Sequence, residues 1–182
     1  STAKEAGVVG PAARGCSWKI DVRWSDPYAA YGPEYTTWDV VLETGGDSWA
    51  RAVVRLRELL VSVDICEQTL EALRRMEGPI RAEVGEIGPD EALGKTEAPR
   101  GELLYYIVSD GTSIPHTVRV RTPSYRNNSV IPYMLRGNTI ADAPIIIGSI
   151  DPCYSCTDRM IVIEDAKTGK IEPCRLGDLR LR

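Results

Sequence analysis

A stripe of large apolar residues at three- and four-residue steps is the clearest pattern along the chain. Its members are Trp49, Val53, Leu56, Leu60, Val63, Leu70 and Leu73. This spacing places their side chains on one face of an α-helix. Residues 45–48 (Gly-Gly-Asp-Ser) provide a turn and a capping oxygen, so the pattern predicts a helix over residues 47–77 that stops at Gly78. A helix of about 30 residues would be about 45 Å long, longer than a small domain is wide, which predicts packing against partner helices.

Shorter β-prone runs predict two hairpins in the second half of the chain. The first joins residues 103–109 to residues 117–121 through a turn that contains Asp, Gly and Pro. The second joins residues 160–164 to residues 170–172 through a turn at residues 165–169. Both predict antiparallel β-structure after the long helix.

The remaining stretches have no strong period. Residues 80–95 are acidic and punctuated by glycine, which predicts a connecting loop, and residues 127–136 predict a short helix that ends at Gly137. The sequence therefore predicts an α+β protein in a single region, residues 1–182. Its parts are an irregular start over residues 1–46, the long helix over residues 47–77, and an α+β part over residues 78–182 that carries a cysteine pair.

Composition and charge narrow the possible functions. The chain has 182 residues, of which 43% are hydrophobic and 26% are charged, so it contains enough apolar residues to form a globular core. The net charge of −4 provides no general basic field, so we expect no nucleic-acid partner. No apolar run approaches the roughly 20 residues that span a bilayer. The charged first residues do not resemble a signal peptide, and the odd number of cysteines, five, fits a reducing compartment.

Cys153 and Cys156 form the most informative motif, because one turn of chain can direct two thiols toward one soft metal ion or a redox partner. Structural zinc, thiol redox chemistry and an accidental pair are all open at this point. Zinc would need further ligands, and the candidates are Cys16, Cys66, Cys174 and His116, none of them spaced as a second pair. A thioredoxin-type motif would lie between a strand and a helix, which Pro152 and the strand predicted at residues 160–164 do not fit. The residues thus indicate half of a metal site.

A second motif surrounds Arg100. Pro99 fixes its own φ angle and Gly101 lets the backbone turn, so the guanidinium of Arg100 could point into a cavity. The alternative is a surface arginine paired with Glu97 or Glu102, which is the more common situation for arginine.

A third motif lies at residues 121–125, where a strand ends and a helix begins. Its Ser124 is either a turn or capping residue or a hydroxyl donor to a ligand. Motifs for nucleotide binding and for serine hydrolases do not occur in the sequence.

Taken in order, these motifs resemble the C-terminal half of the large subunit of nickel-iron hydrogenases. The resemblance is to the energy-converting, membrane-bound class (group 4), which is related to the quinone-site, 49 kDa-type subunit of respiratory complex I. It spans nearly the whole chain and implies a long helix in a helical bundle with small antiparallel hairpins. The segments that carry it are residues 7–15, 21–23, 26–28, 98–102, 109–111, 121–125, 141–144 and 148–153.

The resemblance also implies roles for individual residues. Cys153 matches a terminal nickel ligand and Cys156 a ligand that bridges nickel and iron. Arg100 matches the arginine above the open metal position, where it would help to polarise hydrogen. The other implied residues are Asp151, a carboxylate beside the site, and Pro123 and Ser124, around the cyanide ligands of the iron.

The implied activity is the reduction of protons to hydrogen, or its reverse, with electrons from ferredoxin. The implied cofactor is a nickel-iron centre with carbonyl and cyanide ligands, shared with a partner chain that carries the N-terminal half and the other Cys-x-x-Cys pair. Further implied partners are a small subunit with iron-sulfur clusters and membrane subunits that pump ions. The complex would lie on the cytoplasmic side of the cell membrane, with this chain in its peripheral arm.

Two departures from the family leave alternatives open. The N-terminal cysteine pair is missing, so either a partner supplies it or the metal has been lost. In addition, 23 residues follow Arg159, the position after which many relatives are cleaved during maturation. The alternatives are a complex I-like reductase of a quinone or a sulfur compound, and a structural subunit without nickel that could instead bind zinc.

Overall fold

A computed structural model describes residues 2–83 and 85–157, and the backbone of two strands at residues 161–164 and 171–174. The chain divides into two compact units, Ser1–Pro152 and Cys153–Arg182. The larger unit contains helices and a three-stranded antiparallel sheet. The prediction of an α+β fold is therefore confirmed.

The first residues of the larger unit form three one-turn helices. These are α1 (Thr2–Glu5), α2 (Pro11–Arg14) and α3 (Val22–Ser25). Proline begins α2, where its missing N–H costs no hydrogen bond. The small residues of α2 pack in the core of this unit, whose buried members are Val8, Ala12, Ala13, Val130 and Ile150.

The long helix α4 spans Ser48–Leu73. The carboxylate of Asp47 accepts a hydrogen bond from the Ala50 N–H at 2.7 Å, which caps the helix as its sequence predicts. The helix ends four residues before the predicted position 77, since the N–H groups of Arg75 and Met76 bond three residues back rather than four.

The apolar stripe of α4 points away from the rest of the larger unit. The side chains that α4 buries are those of Ala50, Arg51, Val54 and Ile65. Of the predicted stripe, all members except Val53 are exposed. The helical period is therefore as predicted, but the apolar face is the outer one.

Three antiparallel strands follow in the order β1 (Pro89–Ala98), β2 (Gly101–Asp110) and β3 (Thr117–Arg121). The predicted hairpin corresponds to β2 and β3. The prediction of a loop over residues 80–95 is wrong from Pro89 onward, because β1 pairs with β2 along its whole length. Most side chains of β1 are exposed, so the strand has no alternating apolar face that a pattern could reveal.

The helix predicted over residues 127–136 is longer and interrupted. It comprises α5 (Pro123–Asn127), a 3₁₀ turn at Asn128–Val130 and α6 (Ile131–Leu135). Pro132 lacks the N–H that a continuous helix would need, which accounts for the break. The last α-helix of the larger unit is α7 (Ala143–Ser149).

The smaller unit is described in part. Helix α8 spans Tyr154–Thr157, and β4 (Ile161–Glu164) pairs antiparallel with β5 (Ile171–Cys174), the strands of the second predicted hairpin. The predicted turn at residues 165–169 and the possible cleavage position at Arg159 lie outside the described residues.

Two glycines allow the backbone before α2 to approach the turn between β1 and β2. A Cβ atom at Gly10 would lie 2.3 Å from the carbonyl oxygen of Arg100, and one at Gly101 would lie 2.6 Å from the Gly10 nitrogen. Both glycines have positive φ angles, 68° and 122°. Only glycine fits both the conformation and the space, so this contact fixes the backbone at Arg100.

We therefore expect Gly10→Ala to destabilise the protein by about 3 kcal/mol or more, because it adds steric overlap to an unfavourable backbone conformation. Gly7→Ala is the matched control, since Gly7 has a similar φ of 67° but open space around it. Its cost should be about 1 kcal/mol. Urea unfolding of both variants measures the difference, and equal costs would show that the close approach to Arg100 is not a constraint.

Candidate functional site

Arg100 lies in the turn between β1 and β2 and binds Asp151. Its Nη2 donates to Asp151 Oδ1 at 3.1 Å, and its Nε donates to the Asp151 carbonyl oxygen. The expected alternative, a pair with Glu97 or Glu102, is wrong, because Glu97 binds Arg14 and Glu102 pairs with Arg121. The structure thus brings together two of the residues that the sequence predicts as a site.

Asn127, at the end of α5, binds the backbone of the same turn. Its Nδ2 donates to the Arg100 carbonyl oxygen at 3.0 Å, and its Oδ1 accepts from the Val9 N–H at 3.0 Å. Asn127 is only 2% exposed, so both hydrogen bonds are protected from water. A single amide therefore joins the chain before α2 to the backbone of Arg100.

Pro123 and Ser124 begin the same short helix, α5, and both are buried. The residue that precedes the helix in the cap position is Thr122, so Ser124 is not the capping residue. Asn127 lies one turn further along α5 and connects this helix to the Arg100 turn. Of the four predicted site residues of the larger unit, Arg100 and Asp151 bind each other. Pro123 and Ser124 lie on the helix that Asn127 connects to the same turn.

A buried arginine, Arg14, binds three carboxylates behind the Arg100 turn. Its Nη1 lies 2.8 Å from Glu97 Oε1 and 3.2 Å from Asp21 Oδ2, and its Nε lies 2.5 Å from Glu58 Oε1. Nη1 also donates to the carbonyl oxygen of Ile20 at 3.0 Å. Only 2% of the Arg14 side chain is exposed, so this is a buried ionic cluster.

Burial and neighbouring charges shift the pKa values of Arg14 and Glu97 in this cluster. Burial opposes the charge on Arg14, but Glu58, Glu97 and Asp21 outweigh it and raise the pKa of Arg14 above its ordinary value. Burial also raises the pKa of Glu97, although Arg14 and a hydrogen bond from the Val22 N–H at 3.1 Å oppose that rise. The cluster is stable in its charged form only because its members lie together.

Two more arginines, on the inner side of α4, bind the end of α7. The Nε of Arg51 donates to Ser149 Oγ at 2.8 Å, and Nη1 of Arg55 donates to the Ser149 carbonyl oxygen at 2.7 Å. Burial lowers the pKa of both guanidinium groups. Ser149 precedes Asp151, the partner of Arg100, by two residues. Through its bonds to Ser149, α4 therefore positions the backbone at Asp151.

These groups surround a cavity of about 380 Å³ beneath the Arg100 turn. Its charged lining consists of Arg14, Arg23, Arg55, Glu58, Glu97 and Asp151. Side chains of both signs line the space, so it suits ordered water better than an apolar ligand.

Sequence reasoning had not identified Arg14, Asn127 or Arg55 as members of the site. Their partners lie far away in the chain, up to 118 residues for the bond between Val9 and Asn127. The one local signal is that Arg14 lies between Ala13 and Gly15 in a run of small residues, which is unusual for a solvated arginine.

The two cysteines lie in the smaller unit and are described by themselves. Cys153 directly precedes α8 and Cys156 lies within it. The Cys156 N–H donates to the Cys153 carbonyl oxygen at 3.1 Å, so the two residues lie on one turn of the chain. Cys153 Sγ lies 3.2 Å from Ser155 Oγ. Two soft sulfur donors on one turn fit part of the ligand set of nickel or another thiophilic metal. Within residues 2–83 and 85–157, no group of three or more His, Cys, Asp or Glu side chains converges as a metal site.

The fold and the motifs of this chain are those of a class of large subunits found both in membrane-bound hydrogenases and in respiratory complex I. More particularly, the chain matches the profile of the respiratory-chain NADH dehydrogenase 49 Kd subunit over residues 1–92 and 84–159, and it belongs to that family.

Individual relatives differ in activity. The chain is 43% identical over 154 residues to the carbon monoxide-induced hydrogenase of Rhodospirillum rubrum, covering 84% of this chain and 42% of that protein. It is 36% identical to NADH-quinone oxidoreductase subunit 4 of Thermus thermophilus, over 85% of this chain and 44% of that protein. The solved membrane-bound sulfane sulfur reductase, an archaeal respiratory membrane complex, matches with a TM-score of 0.77 and 35% identity over 85% of this chain and 43% of that chain. The chain thus spans less than half the length of these relatives.

The solved sulfane sulfur reductase is a membrane complex. In residues 2–83 and 85–157 of this chain, no helix combines the length and the apolar character that a membrane span requires.

We expect Arg14→Met to destabilise the protein by about 3–5 kcal/mol, because three carboxylates lose the buried cation that they share. The deficit should shrink as the pH falls from 7 toward 5, since buried carboxylates without a partner have raised pKa values and regain stability when protonated. Urea unfolding at a series of pH values measures both effects.

The control for this prediction is Arg57→Met, which removes an exposed ion pair with Glu43. Its cost should stay below about 1 kcal/mol. An Arg14→Met variant that behaves like this control would show that the buried cluster contributes no more than a surface pair.

Proposed function

We propose that the chain is the C-terminal part of the large subunit of a membrane-bound, energy-converting nickel-iron hydrogenase, active only with partner chains. The observation that carries this proposal is the retained pair Cys153 and Cys156, directly after an Asp151 that binds Arg100. The identity to a carbon monoxide-induced hydrogenase supports the same function. The reaction would be the reduction of protons to hydrogen, or its reverse.

Cys153 and Cys156 would bind the metal as thiolates, the protonation state in which cysteine is a ligand. When bound, a nickel-iron centre with carbonyl and cyanide ligands supplies the redox chemistry of hydrogen. Pro123 would pack near the cyanide ligands of the iron, and Ser124 would donate a hydrogen bond to one of them. These roles follow from the family resemblance.

Arg100 would act as a fixed cation with directed N–H donors. A guanidinium has five N–H donors and no acceptor, so Arg100 can only donate hydrogen bonds to the groups around it. The bonds to Asp151 fix the direction of the side chain, and Asn127 and Gly10 fix its backbone. Such positioning lowers the cost of reorganisation during a reaction.

The proposed partners complete the enzyme. A chain with the N-terminal half of the large subunit would supply the other cysteine pair, and a small subunit with iron-sulfur clusters would pass electrons from ferredoxin. Membrane subunits would couple the reaction to ion translocation, and this chain would lie in the peripheral arm on the cytoplasmic side. The support is that one similar protein is a carbon monoxide-induced hydrogenase and another belongs to an archaeal respiratory membrane complex.

A second candidate is a complex I-like reductase of a quinone or a sulfur compound. It is favoured by the 35% identity to a membrane-bound sulfane sulfur reductase and by the 36% identity to a quinone oxidoreductase subunit. A structural subunit without nickel is the third alternative. The three differ in the metal that they require.

We expect the purified intact complex to contain about one nickel per copy of this chain and to show infrared bands of iron-bound carbonyl and cyanide. Cys153→Ser and Cys156→Ser should each abolish the nickel content and the bands, because they remove ligands. Cys66→Ser is the matched control, since Cys66 is an exposed cysteine on α4, and it should change neither.

Iron-sulfur clusters without nickel and without these bands would contradict the hydrogenase proposal and favour the reductase. Stoichiometric zinc with no hydrogen uptake would instead favour a structural subunit.

A further inference from the structure

The charged cavity beneath the Arg100 turn is open to solvent on the side of α4. Leu59 and Ser62 of α4 line it, and both residues are exposed. Pro99, which directly precedes Arg100, and Asp151 line the same cavity. One continuous space therefore extends from the surface of α4 to the pair of Arg100 and Asp151. We call Leu59 and Ser62 the mouth of the cavity.

Two carboxylates in the wall of the cavity, Glu58 and Glu97, differ in how fully they are paired. Glu97 uses both oxygens, since Oε1 lies 2.8 Å from Arg14 Nη1 and Oε2 accepts from the Val22 N–H at 3.1 Å. Glu58 uses only Oε1, which lies 2.5 Å from Arg14 Nε, and its Oε2 has no hydrogen-bond partner within residues 2–83 and 85–157. The Glu58 side chain is 19% exposed and that of Glu97 is 4% exposed. Of the two, Glu58 is thus the one that combines a free oxygen with access to solvent.

Glu58 lies on α4 between the mouth and a cation beside Asp151. The Ser62 hydroxyl, at the mouth, donates to the Glu58 carbonyl oxygen at 2.7 Å, one helical turn away. In the other direction, Arg55 precedes Glu58 by three residues, which places the two side chains on one face of the helix. Burial lowers the pKa of Arg55, and the charges of Asp151 and Glu58 oppose that change. Arg55 therefore lies within electrostatic reach of both carboxylates.

Several N–H groups of the arginines in the cavity have no protein acceptor. The Arg55 guanidinium donates to backbone carbonyl oxygens through Nη1 alone, and Arg23 uses Nε and Nη2 for the carboxylate of Asp21. In the part of the chain that the structure describes, the other side-chain N–H groups of Arg55 and Arg23 bond to no protein atom. Water would satisfy them, because a buried water typically makes about three hydrogen bonds to polar groups. The lining therefore suits a chain of hydrogen-bonded water from the mouth to the Arg100 turn.

We propose that Glu58 relays protons from solvent to the site, and that water in the cavity carries them from Glu58 to the pair of Arg100 and Asp151. The proposed reaction joins a pair of protons and a pair of electrons to form hydrogen, so it draws protons from solvent at every turnover. Glu58 Oε2 takes up a proton at the mouth and releases it to the cavity water, which returns Glu58 to a carboxylate. The electrons reach the site separately, from the partner chains. The inference rests on the proposed function and adds a proton route to it.

Glu58→Gln tests the relay in the intact purified complex, because glutamine has the shape of glutamate but cannot carry a proton. Hydrogen production from dithionite-reduced methyl viologen should fall about tenfold or more. The ratio of the rates in H2O and D2O should rise, because proton transfer becomes the slow step. Nickel content and the infrared bands should stay unchanged, since Glu58 is not a metal ligand. Glu58→Asp should recover most of the rate.

The matched control is Glu67→Gln, which changes an exposed glutamate of α4 and should alter neither the rate nor the isotope ratio. The relay is overturned if Glu58→Gln keeps the rate and the isotope ratio of the unchanged complex. A loss of rate without a rise in the isotope ratio, and without recovery in Glu58→Asp, would reduce the role of Glu58 to pairing with Arg14 and would overturn the relay as well.

Ser62→Cys, in a Cys66→Ser background, tests whether solvent reaches the mouth in the assembled complex. A small methanethiosulfonate reagent should modify the thiol, as read by peptide mass spectrometry, and should slow hydrogen production to about the rate of Glu58→Gln, because the adduct blocks the mouth. In a complex that carries both Ser62→Cys and Glu58→Gln, the reagent should slow the reaction no further. Ser113→Cys, at an exposed serine in the turn between β2 and β3, is the control that should be modified without loss of rate. Absence of modification at Ser62→Cys, or modification without slowing, would overturn the inference.

These experiments separate the relay from the proposed function. A complex that contains no nickel and produces no hydrogen would contradict the proposed function. A nickel-containing complex that produces hydrogen equally well with Glu58→Gln would contradict the relay alone.

Discussion

The ionic cluster around Arg14 is the constraint on which the larger unit depends. A buried guanidinium loses its hydration, and only close carboxylates can compensate for that loss. The three carboxylates come from the start of α3, the middle of α4 and the end of β1. Asp21 also pairs with Arg23, but Glu58 on α4 and Glu97 on β1 have Arg14 as their ion-pair partner, so the cluster couples the sheet to the long helix.

The same coupling positions Arg100. Glu97, which binds Arg14, lies three residues before Arg100 on the same strand and turn. On the opposite side Asn127 binds the Arg100 carbonyl oxygen, and Gly10 packs against it. Arg51 and Arg55 bind Ser149 and so position the chain at Asp151. The ion pair between Arg100 and Asp151 is therefore oriented by contacts that the chain makes with itself, which is the preorganisation that a reactive site requires.

Local patterns in the sequence are sufficient to predict most of the helices and strands, but not which residues of these elements contact one another. The long helix and both hairpins follow from periodicity and turn residues, which act over a few positions. Strand β1 was missed because its side chains are exposed and it is defined by pairing with β2. The partner of Arg100 was mispredicted since Asp151 lies 51 residues away, beyond any local rule. Periodicity indicated which residues of α4 share a face, but not that this face points outward, because the polar partners of its inner side lie in other elements.

The outward direction of the apolar face of α4 has a consequence for how the cell handles this chain. An unassembled copy presents a long row of leucines, which is the kind of surface that chaperones and quality-control proteases bind. A copy in which nothing covers this row is thus expected to be a target for degradation. The lifetime of the protein in a cell would then depend on how fully this face is covered, rather than only on the rate at which the chain is synthesised.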